Sequence, residues 1–343
     1  MTRNLSFAPL GLGLLLGATA CGSYADAFSG AYAPGELAGT SSEAPGSGIE
    51  AGRLTAGAWD DNRNFDAFSA YLAEHAQLRG QPGLTAAERA AARDDFEGSR
   101  GAKGALDLAL VIDTTGSMGD ELGYLQVELD AISARIRDEF PNVAQRWALV
   151  VYRDEGDEYV TEKVDFTDDL AAFRQALEAQ SAGGGGDFPE AADRGLAEAM
   201  ELSWQSGPVA RLVFWIADAP HHDGDSGRVT EAIRAARQQD VRVYPVAASG
   251  VDELAELTMR SAAQLSGGRY LFLTDDSGIG DSHKEPTIPC YFVTRLDQAM
   301  VRMTAIELSG VYREPAEDQV LRVGGNPENG RCVLPDGAEV RVF

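Results

Sequence analysis

Cysteine, basic charge and long apolar runs are all scarce in this sequence of 343 residues. Its three cysteines, Cys21, Cys290 and Cys332, are too few for a scaffold built on disulfides. The fold must therefore rest on an apolar core, and a hydrophobic content of 44% supplies ample material. Lys and Arg total 29 against 54 Asp and Glu, a formal net charge of −25. Such a charge repels phosphate backbones and anionic headgroups, which excludes nucleic acid as a partner and leaves the membrane accessible only through an added anchor. The apolar run at 7–20, "FAPLGLGLLLGATA", is broken by Pro9 and three glycines and falls short of a bilayer span, which takes roughly 20 residues. The phosphate loop G-x-x-x-x-G-K-[S/T], H-E-x-x-H and G-x-S-x-G are also missing, and with them the common nucleotide hydrolase, zinc protease and serine hydrolase signatures.

What is present begins with an export signal: Arg3, the apolar run, then Cys21. "ATAC" at 18–21 resembles a bacterial lipobox, with Ala18 where that pattern prefers Leu. The resemblance implies a lipoprotein signal peptide over 1–20 and lipid on Cys21, the alternative being a plainly cleaved signal with a free Cys21. The expected location is the bacterial cell envelope, lipid-anchored, or the periplasm or exterior; Gly22 after the cysteine leans towards the outer membrane in a Gram-negative cell. Outside the reducing cytosol, the remaining pair Cys290 and Cys332 is expected to form a disulfide, the alternative being two separate buried thiols.

Residues 21–52 are Gly, Ser, Ala and Pro with few large apolar side chains, a composition that reads as a flexible tether. Residues 53–103 form an N-terminal region, with a short helical element expected over 54–76 and a helix after Thr85 and Glu88, which have capping-box spacing. From 104 to 310, apolar runs at 105–113, 146–153, 211–218, 241–248 and 269–274 alternate with helical patterns. Leu122, Leu125, Leu129, Ile132, Ile136 and Phe140 recur at spacings of three and four, an amphipathic crossover helix. Further helices fit 168–180, 189–204, 226–239, 251–265 and 296–308. Near-continuous apolar strands imply a parallel sheet covered on both faces, so the fold class is a doubly wound, mostly parallel α/β sheet whose ligands bind at the carboxyl ends of the strands. Residues 311–343 read as a small β appendage with a hairpin turn at "PDG", 335–337.

Oxygen-rich motifs fall on three loops of that carboxyl edge. Asp113, Thr115 and Ser117 alternate by two around Gly116; "GGGGDFPE" at 183–190 carries Asp187 and Glu190; and Asp218 ends a strand as Asp113 does. Hard oxygen ligands on separate loops suit Mg2+, with Mn2+ as its substitute. Local alternatives exist for each. Thr115 or Ser117 can cap the following helix, Asp187 and Glu190 can form a capping box around Pro189, and Asp218 can open a turn before Pro220. His221 and His222 offer a transition-metal site or hydrogen-bonded loop histidines, and 153–158, "RDEGDE", either rims the site or is solvated.

With these residues in place, 104–310 resembles a von Willebrand factor type A (vWA) domain carrying a metal-ion-dependent adhesion site. That family's signature is D-x-S/T-x-S after the first strand, a Thr on a second loop and an Asp after a later strand. Asp113, Thr115 and Ser117 match the first part and Asp218 the last, while the second loop has Asp187 and Glu190 and no threonine. The resemblance implies metal held directly by the hydroxyls of Thr115 and Ser117, with Asp113 and Asp218 bound directly or through water. It implies a non-enzymatic protein-binding module whose metal takes an acidic residue of a partner. Two other classes compete: a scaffold vWA domain without a functional metal site, and a metal-dependent phosphohydrolase with Asp113 as nucleophile. The phosphohydrolase wants a second Asp two residues on, where Thr115 stands.

Overall fold

A computed structural model describes residues 50–343 apart from 60–64, 66, 67, 70, 71, 74–77, 98–100, 187, 286–289, 330, 334–338, 342 and 343. The expected export signal, Cys21, most of the expected tether, Asp187 and the expected PDG turn lie outside the described residues.

The architecture follows from two periodicities. β2 (Ala105–Asp113) is buried along almost its whole length, because each face of the sheet is covered. Leu106, Leu108, Leu110 and Ile112 of β2 point to one side. They join a core with Leu122, Leu125, Ile132 and Ile136 of α2 (Gly119–Glu139) and Leu296, Met300 and Met303 of α7 (Leu296–Ser309). A fully buried leucine of this kind contributes about 1.5–3 kcal/mol. α2 ends at Glu139 with Phe140 as its C-cap, immediately before Pro141, whose ring cannot continue a helix.

β3 (Ala144–Tyr152), β5 (Val209–Ala217), β6 (Val241–Ala247) and β7 (Tyr270–Leu273) complete the parallel centre. The nine-stranded sheet runs β4 (Thr161–Thr167), β3, β2, β5, β6, β7, β1 (Thr55–Trp59), β8 (Tyr291–Arg295), β9 (Arg322–Gly324). The expected fold class is what is seen: a mixed, mostly parallel sheet flanked by α1 (Ala86–Glu97), α2, α3 (Leu170–Glu178), α4 (Ala192–Met200), α5 (Ser226–Gln238), α6 (Glu253–Ser266) and α7.

Several strands differ from the sequence expectation. Thr55–Trp59, read as part of a helical element, is strand β1, and it lies antiparallel between β7 and β8 (Tyr291–Arg295) inside the main sheet. Gly57 makes this insertion fit: a Cβ there would stand 2.3 Å from the Phe272 ring. β4 (Thr161–Thr167) is an antiparallel edge strand, and β9 (Arg322–Gly324) from the C-terminal region closes the other edge on β8. β10 (Arg331–Val333) and β11 (Glu339–Arg341) pair as the expected hairpin arms. Cys290 and Cys332 are joined by a disulfide, with Cα atoms 6.0 Å apart, which fastens this hairpin to the segment leading into β8. Among the described residues no helix is long and apolar enough to cross a membrane.

Candidate functional site

The parallel strands β2 and β5 are neighbours, so Asp113 at the end of one and Asp218 just beyond the other reach the same edge of the sheet. Asp113 is fully buried and Asp218 is 4% exposed. The chain turns after Asp113, and that carboxylate accepts hydrogen bonds at Oδ1 from the Thr115 amide at 2.9 Å and the Thr115 hydroxyl at 2.6 Å. Ser117, in a 3-10 turn over Gly116–Met118, is exposed at the rim, near enough to Asp218 for its hydroxyl to lower that carboxyl's pKa. The first and third predicted loops therefore meet. Neither hydroxyl caps the turn that follows, nor does a side chain cap α2.

The second loop closes over the first. Gly183 donates its amide to the Thr114 carbonyl at 3.0 Å, and a Cβ on Gly185 would stand 3.1 Å from Glu190 Oε1 and 3.4 Å from Thr115 Cβ. Gly184 and Gly185 have φ of +75° and +71°, a conformation that favours glycine. Gly116 has no such backbone; its role is space, since a Cβ there would lie 3.3 Å from the Gly184 carbonyl. Glu190 is 4% exposed. The expected capping role is not what it does: α4 starts at Ala192 behind Ala191, without a side-chain cap, and the Glu190 amide donates to the Pro220 carbonyl at 2.8 Å. Asp187 lies outside the described residues.

Packing carboxylates this closely has an electrostatic consequence. Burial pushes Asp113 up to about 6, against the hydrogen bonds from Thr115 that lower it. Burial, and then the charge of Asp113, pushes Asp218 up to about 8. Glu190 rises to about 9 through burial and the charges of Asp113, Asp154, Asp218 and Asp157. Asp113 Oδ2, Asp218 Oδ1 and Glu190 Oε2 are all buried with no hydrogen-bond donor among the described residues. A buried carboxylate oxygen of this kind costs free energy until a proton or a cation meets it. That is the test for a divalent ion, and the residues present fit one: acceptor-only oxygens on three loops beside two hydroxyls. Among the described residues no three His, Cys, Asp or Glu form a metal group by themselves. The candidate site accordingly rests on the hydroxyls of Thr115 and Ser117 as much as on Asp113 and Asp218.

Residues 107–278 match the family model described as the von Willebrand factor A domain. The chain belongs to the von Willebrand factor A domain family. A relative, the putative ariadne-like RING finger protein R811 of Acanthamoeba polyphaga mimivirus, is 36% identical over 126 residues, covering 36% of this chain. The match spans only 12% of that protein's length. Among solved structures, the conserved hypothetical protein BatB from Bacteroides thetaiotaomicron is 15% identical, covering 59% of this chain and 98% of its own, with a TM-score of 0.40. The pilus adhesin SpaC from Lactobacillus rhamnosus GG, in its open conformation, is 12% identical over 49% of this chain and 28% of its own, with a TM-score of 0.37. A von Willebrand factor type A structure from Catenulispora acidiphila is 16% identical over 60% of this chain and 43% of its own, with a TM-score of 0.40.

Around the core of this vWA domain site stand residues to which the sequence reading gave no role or an open one. Thr114 staples the loop after β2 to β3: its amide and hydroxyl both donate to the Tyr152 carbonyl at 2.9 Å, and its hydroxyl meets the Tyr159 hydroxyl at 2.8 Å. The acidic loop 153–158 divides in two. Asp154 is buried and accepts from His222 Nε2 at 2.7 Å, Asp157 accepts the Gly185 amide at 3.0 Å, and Glu155 and Glu158 are exposed. The two histidines of the third loop point to different partners, His222 to Asp154 and His221 to the Gly80 carbonyl at 2.8 Å, so hydrogen bonds hold both. The one sequence signal for Asp154 was its place after a buried strand, the same place that Asp113 and Asp218 occupy.

Proposed function

We propose that this vWA domain is a divalent-cation-dependent protein-binding module, held at the bacterial cell envelope by lipid on Cys21. Asp113, Thr115, Ser117 and Asp218 would hold Mg2+, or Mn2+ in its place, with Glu190 contributing charge from the second loop. The bound ion would supply a hard, incompletely neutralised positive centre that accepts an acidic residue of a partner.

The chain's own residues prepare that centre. Asp113 anchors the turn through Thr115, the Ser117 hydroxyl faces Asp218 from the rim, and the glycines of 183–185 let the second loop approach. The single observation that supports this proposal is that Asp113, Asp218 and Glu190, each on a different loop at one sheet edge, each keep a buried carboxylate oxygen without a donor among the described residues. Glu190, standing where the family pattern has a neutral threonine, lowers the remaining charge on the ion. It therefore tunes affinity for the acidic guest rather than removing the site.

The test is capture from an envelope extract on the full chain, in Mg2+ and in chelator, beside Ser117→Ala. A partner retained in Mg2+, released by chelator, lost on Ser117→Ala, and lost when one of its own Asp or Glu residues becomes the amide supports the proposal. Retention indifferent to chelator and to Ser117→Ala overturns it.

A further inference from the structure

The sheet face opposite the α2 and α7 core carries a hydrogen-bonded pair that spans the end of β2. Asp113 and Tyr152 are register partners on β2 and β3, and Val111 and Trp215 are register partners on β2 and β5. Alternation puts Val111 and Asp113 on one face, so Tyr152 and Trp215 flank β2 from either side of that face. Their side chains meet across it: Trp215 Nε1 donates to the Tyr152 hydroxyl oxygen at 3.0 Å. Tyr152 is fully buried and Trp215 is 1% exposed.

The Tyr152 ring is held in place by α4. A Cβ on Gly195 would stand 2.4 Å from Tyr152 Cδ1, so the helix backbone rests on the ring and no larger residue fits without moving it. Glycine inside a helix costs stability relative to alanine, and this close approach to Tyr152 is what it allows here.

The phenol proton is directed as well. An indole N–H can only donate, so Trp215 occupies a lone pair of the phenol oxygen and leaves the O–H to point elsewhere. A phenol keeps that proton at neutral pH, and burial, then the charge of Asp113, pushes Tyr152 further up. The hydroxyl stands near enough to Asp113 to lower that carboxyl. Thr115 already binds Asp113 Oδ1 twice, whereas Oδ2 is buried without a hydrogen-bond donor among the described residues. A neutral donor beside a ligand carboxylate orients it without competing for it by charge.

We propose that Tyr152, held by Trp215 and Gly195, is a positioning residue for the cation site: its hydroxyl fixes the Asp113 carboxylate in the orientation that meets the ion. This inference rests on the reading of the Asp113 loop as a cation site. Linked hydrogen bonds polarise one another, so a cation drawing on Asp113 is felt through the phenol at the Trp215 indole.

The experiment is calorimetric titration of Mg2+ into the full chain, beside Tyr152→Phe, Trp215→Phe and the double variant. The Trp215 indole N–H is followed by NMR and identified by its loss in Trp215→Phe. Tyr152→Phe keeps the ring against Gly195 and removes one oxygen; it is expected to weaken Mg2+ binding about 10–100-fold. Trp215→Phe keeps the phenol but frees its rotor and is expected to weaken binding less, with the double variant no weaker than Tyr152→Phe alone. On saturation with Mg2+ the indole signal is expected to shift in the parent and to stay in place in Tyr152→Phe, a difference that packing alone does not produce. A parent that binds no Mg2+ overturns the cation site and this inference with it. If the parent binds Mg2+, the positioning role alone is overturned by Tyr152→Phe binding as tightly, by additive losses in the double variant, or by an indole shift that is the same without the phenol. Should Tyr152→Phe fail to fold, Trp215→Phe carries the test, and Mg2+ affinity equal to the parent's there overturns the role.

Discussion

Replacing Asp113 with asparagine is expected to stabilise the metal-free protein while abolishing its response to Mg2+. Most substitutions of a fully buried, hydrogen-bonded side chain destabilise, so the sign is diagnostic. The asparagine side chain would keep an oxygen to accept from Thr115, and it would place an amide donor where Asp113 Oδ2 now has none. It would also remove the charge that raises Asp218 and Glu190. Asp113 itself is shifted from 3.8 to about 6, which corresponds to a cost on the order of 1–3 kcal/mol when it is ionised. For a domain of this size that is a rise in Tm of a few degrees to about ten. The parent is expected to gain about 2.7 kcal/mol from Mg2+ at a hundred times its Kd, and the variant nothing. Thermal unfolding at pH 8, in chelator and in Mg2+, reads both effects; a variant less stable than the parent in chelator would show that Asp113 is an ordinary structural acceptor.

The second large effect is on pH. Asp113, Asp218 and Glu190 have folded-state values of about 6, 8 and 9, above the usual carboxylate range near 4 that the unfolded chain keeps. Between those limits the folded state holds more protons than the unfolded one, so stability falls as pH rises. The metal-free protein is thus expected to be most stabilised by these groups below about pH 4 and to lose that contribution progressively up to about pH 9. Mg2+ must displace the same protons, so its affinity is expected to rise over the interval, by up to about tenfold per pH unit for each proton released. Unfolding curves in chelator from pH 5 to 9, paired with Mg2+ titrations, test both slopes. An Asp113→Asn, Asp218→Asn double variant separates this from general repulsion among the other acids, and equal pH dependence in parent and double variant would remove the site from the explanation.

The legible parts of the molecule were those where one physical signal dominated. β2, β3, β5, β6 and β7 are buried over most of their length and show it as near-continuous apolar sequence. β1, "TAGAW", carries no such run, because its Gly57 is selected for the ring of Phe272 rather than for its own burial. β4, "TEKVDFT", is an edge strand whose Glu162 and Lys163 are exposed, which blurs its alternation. At the site, Asp113, Thr115, Ser117 and Asp218 were readable because each stands where a strand ends. Glu190 was readable only as a choice between cap and ligand, and the absence of a side-chain cap on α4 narrows that choice. Thr114, Asp154 and Tyr152 act across long sequence separations, and no spacing along the chain encodes such contacts.

Calorimetric titration of Mg2+ into the metal-free full chain at pH 8, beside Ser117→Ala, bears most directly on the candidate site. Ser117 is exposed and its loss leaves the core untouched, so the variant isolates coordination from folding. The expected result is saturable binding of one ion per chain in the parent and its loss in the variant. A parent that takes up no Mg2+, or a variant that binds as tightly as the parent, would contradict a cation held between the loops of Asp113 and Asp218.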